Sequence, residues 1–143
     1  MNSSPSPRAL RVFLVDDALA IRARIAARFG AIDGVEIAGE AEEPEAAFAA
    51  IAASGADLVV LDLRLAGGTA MDLLQRLARH APPPVTMVLT NHSGVWFREA
   101  CLANGARYFF DKTGEFELAC HAIKQLVHAH GARGLHHLGA HHV

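Results

Sequence analysis

Short apolar runs alternate with longer segments of helical periodicity five times along this chain. The strand-like runs cover residues 10–15, 35–40, 58–61, 85–89 and 107–110. The first, third and fourth are almost wholly apolar, which is typical of parallel strands that are covered on both faces. The alternation predicts an α/β domain with a five-stranded parallel sheet, doubly wound with helices on both faces.

The segments between the runs carry their apolar residues on one stripe, as amphipathic helices do. In the first segment this stripe is formed by Ile21, Ile25 and Phe29. We expect the arginines that lie off this stripe to form a solvated face. They are Arg22, Arg24 and Arg28. Trp96 lies one residue off the stripe of the fourth segment, and two alternatives stay open for it: exposure on a partner surface, or partial packing in the core.

Composition favours a packed globular protein. Of the 143 residues, 52% are hydrophobic and 20% are charged, which argues against a disordered chain. The net charge is -2 and there is no long basic run, so neither nucleic acid nor an anionic membrane surface is favoured as a direct partner. No run approaches the roughly 18 apolar residues of a membrane span.

The two ends of the chain differ from its middle. Residues 1–8 are rich in Ser and Pro without an apolar run, and we interpret them as a disordered lead and not a signal peptide. After His130 the periodicity is lost, and residues 131–143 are interpreted as a flexible, His-rich tail beside a domain of residues 9–130. The tail histidines could bind a transition metal, although a disordered tail is the favoured interpretation. Cys101 and Cys120 lack any metal-binding spacing, which indicates reduced thiols in a cytoplasmic protein.

Polar residues stand where four of the predicted strands end. Asp16 and Asp17 follow the first strand, Asp62 the third, Thr90 the fourth, and Lys112 the fifth after one intervening residue. The carboxyl ends of parallel strands meet at one edge of the sheet, where open α/β folds bind their ligands. The three acids, the hydroxyl and the lysine are therefore expected to converge.

These residue types suit phosphoryl chemistry with a divalent cation. Carboxylates with room for water are the ligands that Mg²⁺ prefers, and an aspartate can attack phosphorus. Phosphoryl transfer needs mainly positioning and neutralisation of charge, which Lys112 and the Thr90 hydroxyl could assist. Taken alone, the acid pair could be a solvated helix N-terminus, Lys112 a surface lysine and Thr90 a cap. Their common placement at strand ends favours a site.

The arrangement resembles the receiver domain of bacterial two-component response regulators. The resemblance rests on the acid pair at 16–17, Asp62 within "VVLDLRL", Thr90 within "VLTN" and Lys112 within "YFFDKT", and it covers about residues 8–130. It implies the flavodoxin-like (βα)5 fold of CheY-like proteins, with a parallel sheet of order 2-1-3-4-5.

The resemblance also implies a magnesium site and a phosphoacceptor. Asp62 would be the phosphoacceptor and, with Asp17, a direct ligand of Mg²⁺. Asp16 would hold metal-bound water, and the main-chain carbonyl of Arg64 would complete the protein ligands.

Further positions follow from the same resemblance. Thr90 and Lys112 would contact the phosphoryl group, and Phe109 would be the switch aromatic whose rotamer reports the state of Thr90. Arg64 and His92, each two residues past a site residue, are hypothesised to tune the lifetime of the phosphoryl group.

Three positions depart from the family pattern. Ala66 stands where receivers usually have Pro, and Ala70 where a Gly is common. Thr113 replaces the Pro that often follows the lysine, so the cis peptide expected there is in doubt, and Thr113 is a candidate cap for the last helix.

The resemblance implies a stand-alone phosphoacceptor module that is not an enzyme beyond its own phosphorylation and dephosphorylation. A sensor histidine kinase or phosphotransfer protein would donate the group, and a downstream protein would bind the fourth helix, fifth strand and fifth helix. Direct DNA binding is not expected, because no helix-turn-helix region remains after residue 130, and a homodimer is left open.

Two rival interpretations remain. A phosphohydrolase of the haloacid-dehalogenase type needs a second acid two residues after its nucleophile, where this chain has Arg64 after Asp62 and Ala18 after Asp16. A degenerate receiver would act as a phosphate-independent protein-binding module, which the complete acid, hydroxyl and lysine set argues against.

Overall fold

Strands and helices alternate in the computed structural model, which describes residues 8–62, 68–91 and 94–140, without the side chains of 68, 69 and 132–140. The five strands of these ranges are β1 (Leu10–Val15), β2 (Val35–Ala41), β3 (Leu58–Leu61), β4 (Val85–Thr90) and β5 (Tyr108–Asp111). The five helices are α1 (Leu19–Gly30), α2 (Pro44–Ser54), α3 (Gly68–Ala78), α4 (Val95–Ala103) and α5 (Phe116–Ala140). Within the same ranges, none of the helices combines the length and hydropathy that a membrane crossing requires.

The strands form one parallel sheet of order β2-β1-β3-β4-β5, which confirms the predicted flavodoxin-like topology. The register pairs Val15 with Leu61 and Leu61 with Val88, so the carboxyl ends of β1, β3 and β4 lie at one edge. Thr90 pairs with Asp111, which brings the end of β5 to the same edge. The loops that follow β1, β3, β4 and β5 therefore all begin at the same edge of the sheet.

Two apolar clusters cover the two faces of the sheet. Alternate residues of β1 enter opposite clusters: Phe13 and Val15 pack towards α2, α3 and α4, while Val12 and Leu14 pack towards α1 and α5. Burial on both faces explains why β1, β3 and β4 are nearly continuous in apolar residues.

Turn chemistry agrees with the ends of α2. Pro44 occupies the first turn of this helix, where N–H groups have no intrahelical acceptor, so the absence of an N–H in proline costs no hydrogen bond. Gly55 follows the helix with φ 67°, a left-handed conformation that glycine adopts at little cost. This turn ends α2 and lets the chain enter β3 three residues later.

The last helix is longer than predicted. Its helical periodicity ends at His130, but the backbone remains helical through Ala140. Alanine and leucine in this segment favour helix, and this local preference outweighs its glycines. The tail histidines His136, His137, His141 and His142 lie outside the described side chains.

Both cysteines are buried free thiols. Burial of Cys101 raises its pKa from 9.0 to about 11. Burial is also the main cause that raises the pKa of Cys120, followed by the charge of Glu117. The folded protein therefore holds both sulfurs as neutral thiols at neutral pH.

We expect both thiols to react with Ellman's reagent much more slowly in the folded protein than in denaturant, since the thiolate is the reacting form.

The pKa of Cys101 also predicts how stability depends on pH. The unfolded chain loses the Cys101 proton near its ordinary pKa while the folded chain retains it. The stabilisation from the neutral thiol is thus complete below pH 9.0 and is lost as pH rises towards about 11. Unfolding measured against pH, with Cys101→Ala as control, checks this dependence; equal slopes in the two proteins would contradict it.

Candidate functional site

The residues predicted to converge stand at the carboxyl edge of the sheet. Asp16 follows β1 and is 3% exposed, Asp62 follows β3 and is 4% exposed, and Thr90 ends β4 with no exposed surface. Asp17 is exposed beside Asp16. Lys112 directly follows β5, and its N–H donates to the Thr90 carbonyl (2.7 Å). Four strand ends therefore supply the polar residues of one site.

The Lys112 ammonium joins the two buried acids. Its Nζ lies 2.5 Å from Asp62 Oδ2 and 3.2 Å from Asp16 Oδ2, and the lysine side chain is 9% exposed. Buried ionic groups are costly unless they are paired in good geometry, and this ammonium offsets part of the cost of burying both carboxylates.

The three aspartates form a donor set for a hard cation. One carboxylate oxygen from each of Asp16, Asp17 and Asp62 lies within 4.8 Å of the others. Two of the residues are buried and one is exposed, so the cluster borders solvent. Carboxylate oxygens at the border of solvent fit Mg²⁺, which prefers oxygen ligands and usually keeps several waters.

The main chain holds the acid positions firmly. The N–H of Asp62 donates to the Val15 carbonyl (2.9 Å), and the N–H of Asp16 donates to the Ala41 carbonyl (3.0 Å). Asp16 Oδ1 accepts the N–H of Ala18 (2.9 Å), which closes the turn into α1. Sheet hydrogen bonds thus continue one residue past β1 and β3, directly into the site.

Arg22 was predicted to be solvated, and this prediction is wrong. Arg24 and Arg28 are exposed as expected, but Arg22 is buried, with its Nε donating to Glu40 Oε1 (2.8 Å). Its Nη1 donates to the main-chain carbonyl of Asp16. A signal for this pair was available, because Glu40 ends the second predicted strand and so lies at the same sheet edge as Asp16.

The loop after Lys112 is tied to its neighbours by side chains. Asp111 Oδ2 accepts the N–H groups of Thr113 (3.1 Å) and Gly114 (2.5 Å). The Thr113 hydroxyl donates to Asn91 Oδ1 (3.2 Å), which links this loop to the residue after Thr90. Because α5 begins at Phe116, the prediction that Thr113 caps this helix is wrong.

Phe109 packs against α4, and Trp96 stands in the first turn of that helix. Phe109 is 6% exposed and packs edge-to-face on Phe97, with ring centroids 5.9 Å apart. Trp96 is 80% exposed and its neighbour Val95 is 72% exposed, which excludes the alternative that Trp96 packs partly in the core. The start of α4 therefore presents apolar surface near the sheet edge.

A groove of about 500 Å³ runs between α1 and the start of α5. Ile21 and Arg24 of α1 line it, as do Lys112, Thr113 and Phe116. The predicted positions Arg64, Ala66 and His92 lie outside the described residues.

Comparison with known proteins identifies the family and agrees with the fold. Residues 12–124 match the family described as the response regulator receiver domain. The chain is 32% identical over 119 residues to a protein-glutamate methylesterase/protein-glutamine glutaminase of Carboxydothermus hydrogenoformans, covering 82% of this chain and 35% of that protein. It is 31% identical over 118 residues to the DNA-binding transcriptional activator DevR/DosR of Mycobacterium tuberculosis, covering 82% of this chain and 54% of that protein.

Solved receiver structures share the fold. The signal receiver domain of response regulator NarL from Mycobacterium tuberculosis superposes with a TM-score of 0.76 at 22% identity, covering 85% of this chain and 98% of that one. The response regulator domain of Thermotoga maritima CheB superposes with a TM-score of 0.72 at 17% identity, covering 87% and 98%. The chain spans between a third and about half of the length of the two curated relatives above.

Proposed function

We propose that this chain, which belongs to the response regulator receiver domain family, takes a phosphoryl group onto Asp62 from a sensor histidine kinase or a phosphotransfer protein. The observation that carries the proposal is the contact of one buried ammonium, Lys112, with both Asp62 and Asp16 at the edge where four strands end. An acceptor aspartate beside a fixed cation is the arrangement that phosphoryl transfer needs.

The transfer step is a displacement at phosphorus. One carboxylate oxygen of Asp62 forms a bond to phosphorus as the bond from phosphorus to the donor nitrogen breaks, and the donor imidazole keeps that electron pair. Lys112, whose Nζ already lies beside Asp62, neutralises charge on the phosphoryl oxygens, and the Thr90 hydroxyl donates a hydrogen bond to one of them. Both groups are held before reaction by β4 and β5.

Asp16, Asp17 and Asp62 would hold Mg²⁺, as would the main-chain carbonyl of Arg64. When bound, this ion supplies further neutralisation of charge on the transferred group. The three carboxylates fit this role because their oxygens lie within 4.8 Å of one another. Oxygen donors of this kind are the ligands that Mg²⁺ prefers.

Phosphorylation would alter the surface formed by α4, β5 and α5. The new dianion attracts Lys112 and the Thr90 hydroxyl, and the loop that begins at Asn91 follows. Phe109, packed on Phe97 of α4, is the proposed switch aromatic. Exposed Trp96 gives this surface an anchor for a downstream protein.

The proposal also covers the cellular location of the protein and the kind of partner that it binds. The free thiols Cys101 and Cys120 support a cytoplasmic location. The near-neutral charge supports a protein partner over direct binding to DNA. The methylesterase relative is matched over 35% of its length, so its named activity is not assigned to this chain.

Incubation with acetyl phosphate and Mg²⁺, followed by intact-mass measurement, tests the proposal. With Mg²⁺ present we expect the mass to rise by one phosphoryl group. With a chelator in place of Mg²⁺ we expect no rise. A degenerate receiver would show no gain in either condition, and that result would overturn the proposal. Steady hydrolysis of small phosphate esters would instead favour the haloacid-dehalogenase type of activity.

A further inference from the structure

The buried Arg22 side chain joins two elements beside the acid cluster. Its guanidinium donates through Nε to Glu40 Oε1 (2.8 Å), near the end of β2, and through Nη1 to the Asp16 carbonyl at the end of β1. The arginine side chain is 9% exposed, whereas that of Glu40 is 36% exposed. A guanidinium has a planar, fixed arrangement of donors, so two simultaneous bonds restrict the relative positions of their acceptors.

Asp16 is held at each of its polar atoms. Its N–H donates to Ala41, and its Oδ1 and Oδ2 accept from the Ala18 N–H and the Lys112 ammonium. Its carbonyl oxygen accepts from Arg22. Of these four hydrogen bonds, the one from Arg22 fixes the orientation of the Asp16 carbonyl. Because that carbonyl belongs to the peptide group between Asp16 and Asp17, the bond also orients the main chain that leads to Asp17.

There is little free space beneath this arrangement. Arg22, Asp16 and Asp62 line a narrow cavity of about 10 Å³. A buried water needs roughly 10–15 Å³, so with Arg22 in place the cavity has room for about one water at most. Loss of Arg22 would leave the Asp16 carbonyl without its donor.

We infer that Arg22 is a positioning residue for the metal-binding acids Asp16 and Asp17, an inference that rests on the proposed function. Arg22 and Glu40 form a pair with no net formal charge, so their contribution comes from geometry more than from the field at the site. Residues that hydrogen-bond to metal ligands and orient them, without contacting the metal, typically weaken metal affinity by about 10- to 100-fold when they are removed. Arg22 acts here through the Asp16 main chain and not through contact with the phosphoryl group.

Calorimetric titration with Mg²⁺ alone tests this inference. The double variant Arg22→Met with Glu40→Met removes the pair without changing net charge. We expect it to bind Mg²⁺ about tenfold more weakly than the unmodified protein. The matched control is Arg11→Met with Glu36→Met, which removes another ion pair (3.0 Å), between the second residue of β1 and the second residue of β2. We expect this control to retain the unmodified affinity.

Arg22→Lys separates geometry from charge and serves if the double variant does not fold. Lysine keeps the charge but replaces the planar guanidinium, whose Nε and Nη1 bond separate acceptors, with a single ammonium nitrogen. We therefore expect weakened Mg²⁺ binding with a native circular dichroism spectrum. Unchanged affinity in Arg22→Lys, or equal losses in the two double variants, would overturn the inference. Absence of Mg²⁺ binding in the unmodified protein would instead contradict the proposed function, so the two failures are distinguishable.

Discussion

Asp62→Asn is expected to abolish phosphoryl uptake from acetyl phosphate while the protein remains folded. Asparagine has nearly the same shape as aspartate but has no carboxylate oxygen to attack phosphorus, so the reaction loses its nucleophile. The amide oxygen can still accept from Lys112, whose Nζ lies 2.5 Å from Asp62 Oδ2. Intact-mass measurement over time, with Mg²⁺ present throughout, gives the uptake directly.

Asp33→Asn is the matched control for this experiment. Asp33 is an exposed acid between α1 and β2, so it lies at the sheet edge opposite the site. The control variant should take up phosphate as the unmodified protein does. Uptake by Asp62→Asn at the unmodified rate would contradict the assignment of Asp62 as the acceptor.

Lys112→Met is expected to impair both the fold and the chemistry. The substitution leaves the carboxylates of Asp16 and Asp62, which are 3% and 4% exposed, without the ammonium that bridges them. Breaking a buried ion pair by removing one partner costs about 3 kcal/mol or more of the free energy of unfolding. Loss of a fixed donor to the reacting oxygens should slow phosphoryl uptake by about 100-fold.

Denaturant titration without metal measures the first effect, and timed intact mass measures the second. Addition of Mg²⁺ should restore part of the lost stability, because a divalent cation compensates the same carboxylates. Lys124→Met, which removes an exposed lysine from α5, should change neither quantity. A Lys112→Met protein as stable as the unmodified one would show that the ammonium does not compensate the buried acids.

The central architecture could be predicted from local patterns. The bounds of β1 and β3 match the prediction, β2 and β4 each extend one residue further, and β5 is shifted by one residue towards the C-terminus. Continuous apolar runs identify strands that are covered on both faces, and parallel strands must end at one edge. The convergence of Asp62 with Lys112 follows from these two facts.

The details that escaped prediction depend on contacts distant in sequence or on competing local preferences. Arg22 lies off the apolar stripe, so helical periodicity places it in solvent, but its burial depends on Glu40 from another strand. The Thr113 hydroxyl likewise bonds Asn91, 22 residues earlier. The helix beyond His130 persists without an apolar stripe, because helix propensity does not require amphipathicity.

The position of the phosphoryl group tests the central claim most directly. Protein treated with acetyl phosphate and Mg²⁺ can be reduced with borohydride, which converts an aspartyl phosphate to homoserine, and then digested and sequenced by mass spectrometry. The proposed chemistry predicts homoserine at position 62 and at no other aspartate. Homoserine at Asp16 or Asp17, or a fully unmodified Asp62 in protein that carries phosphate, would contradict it.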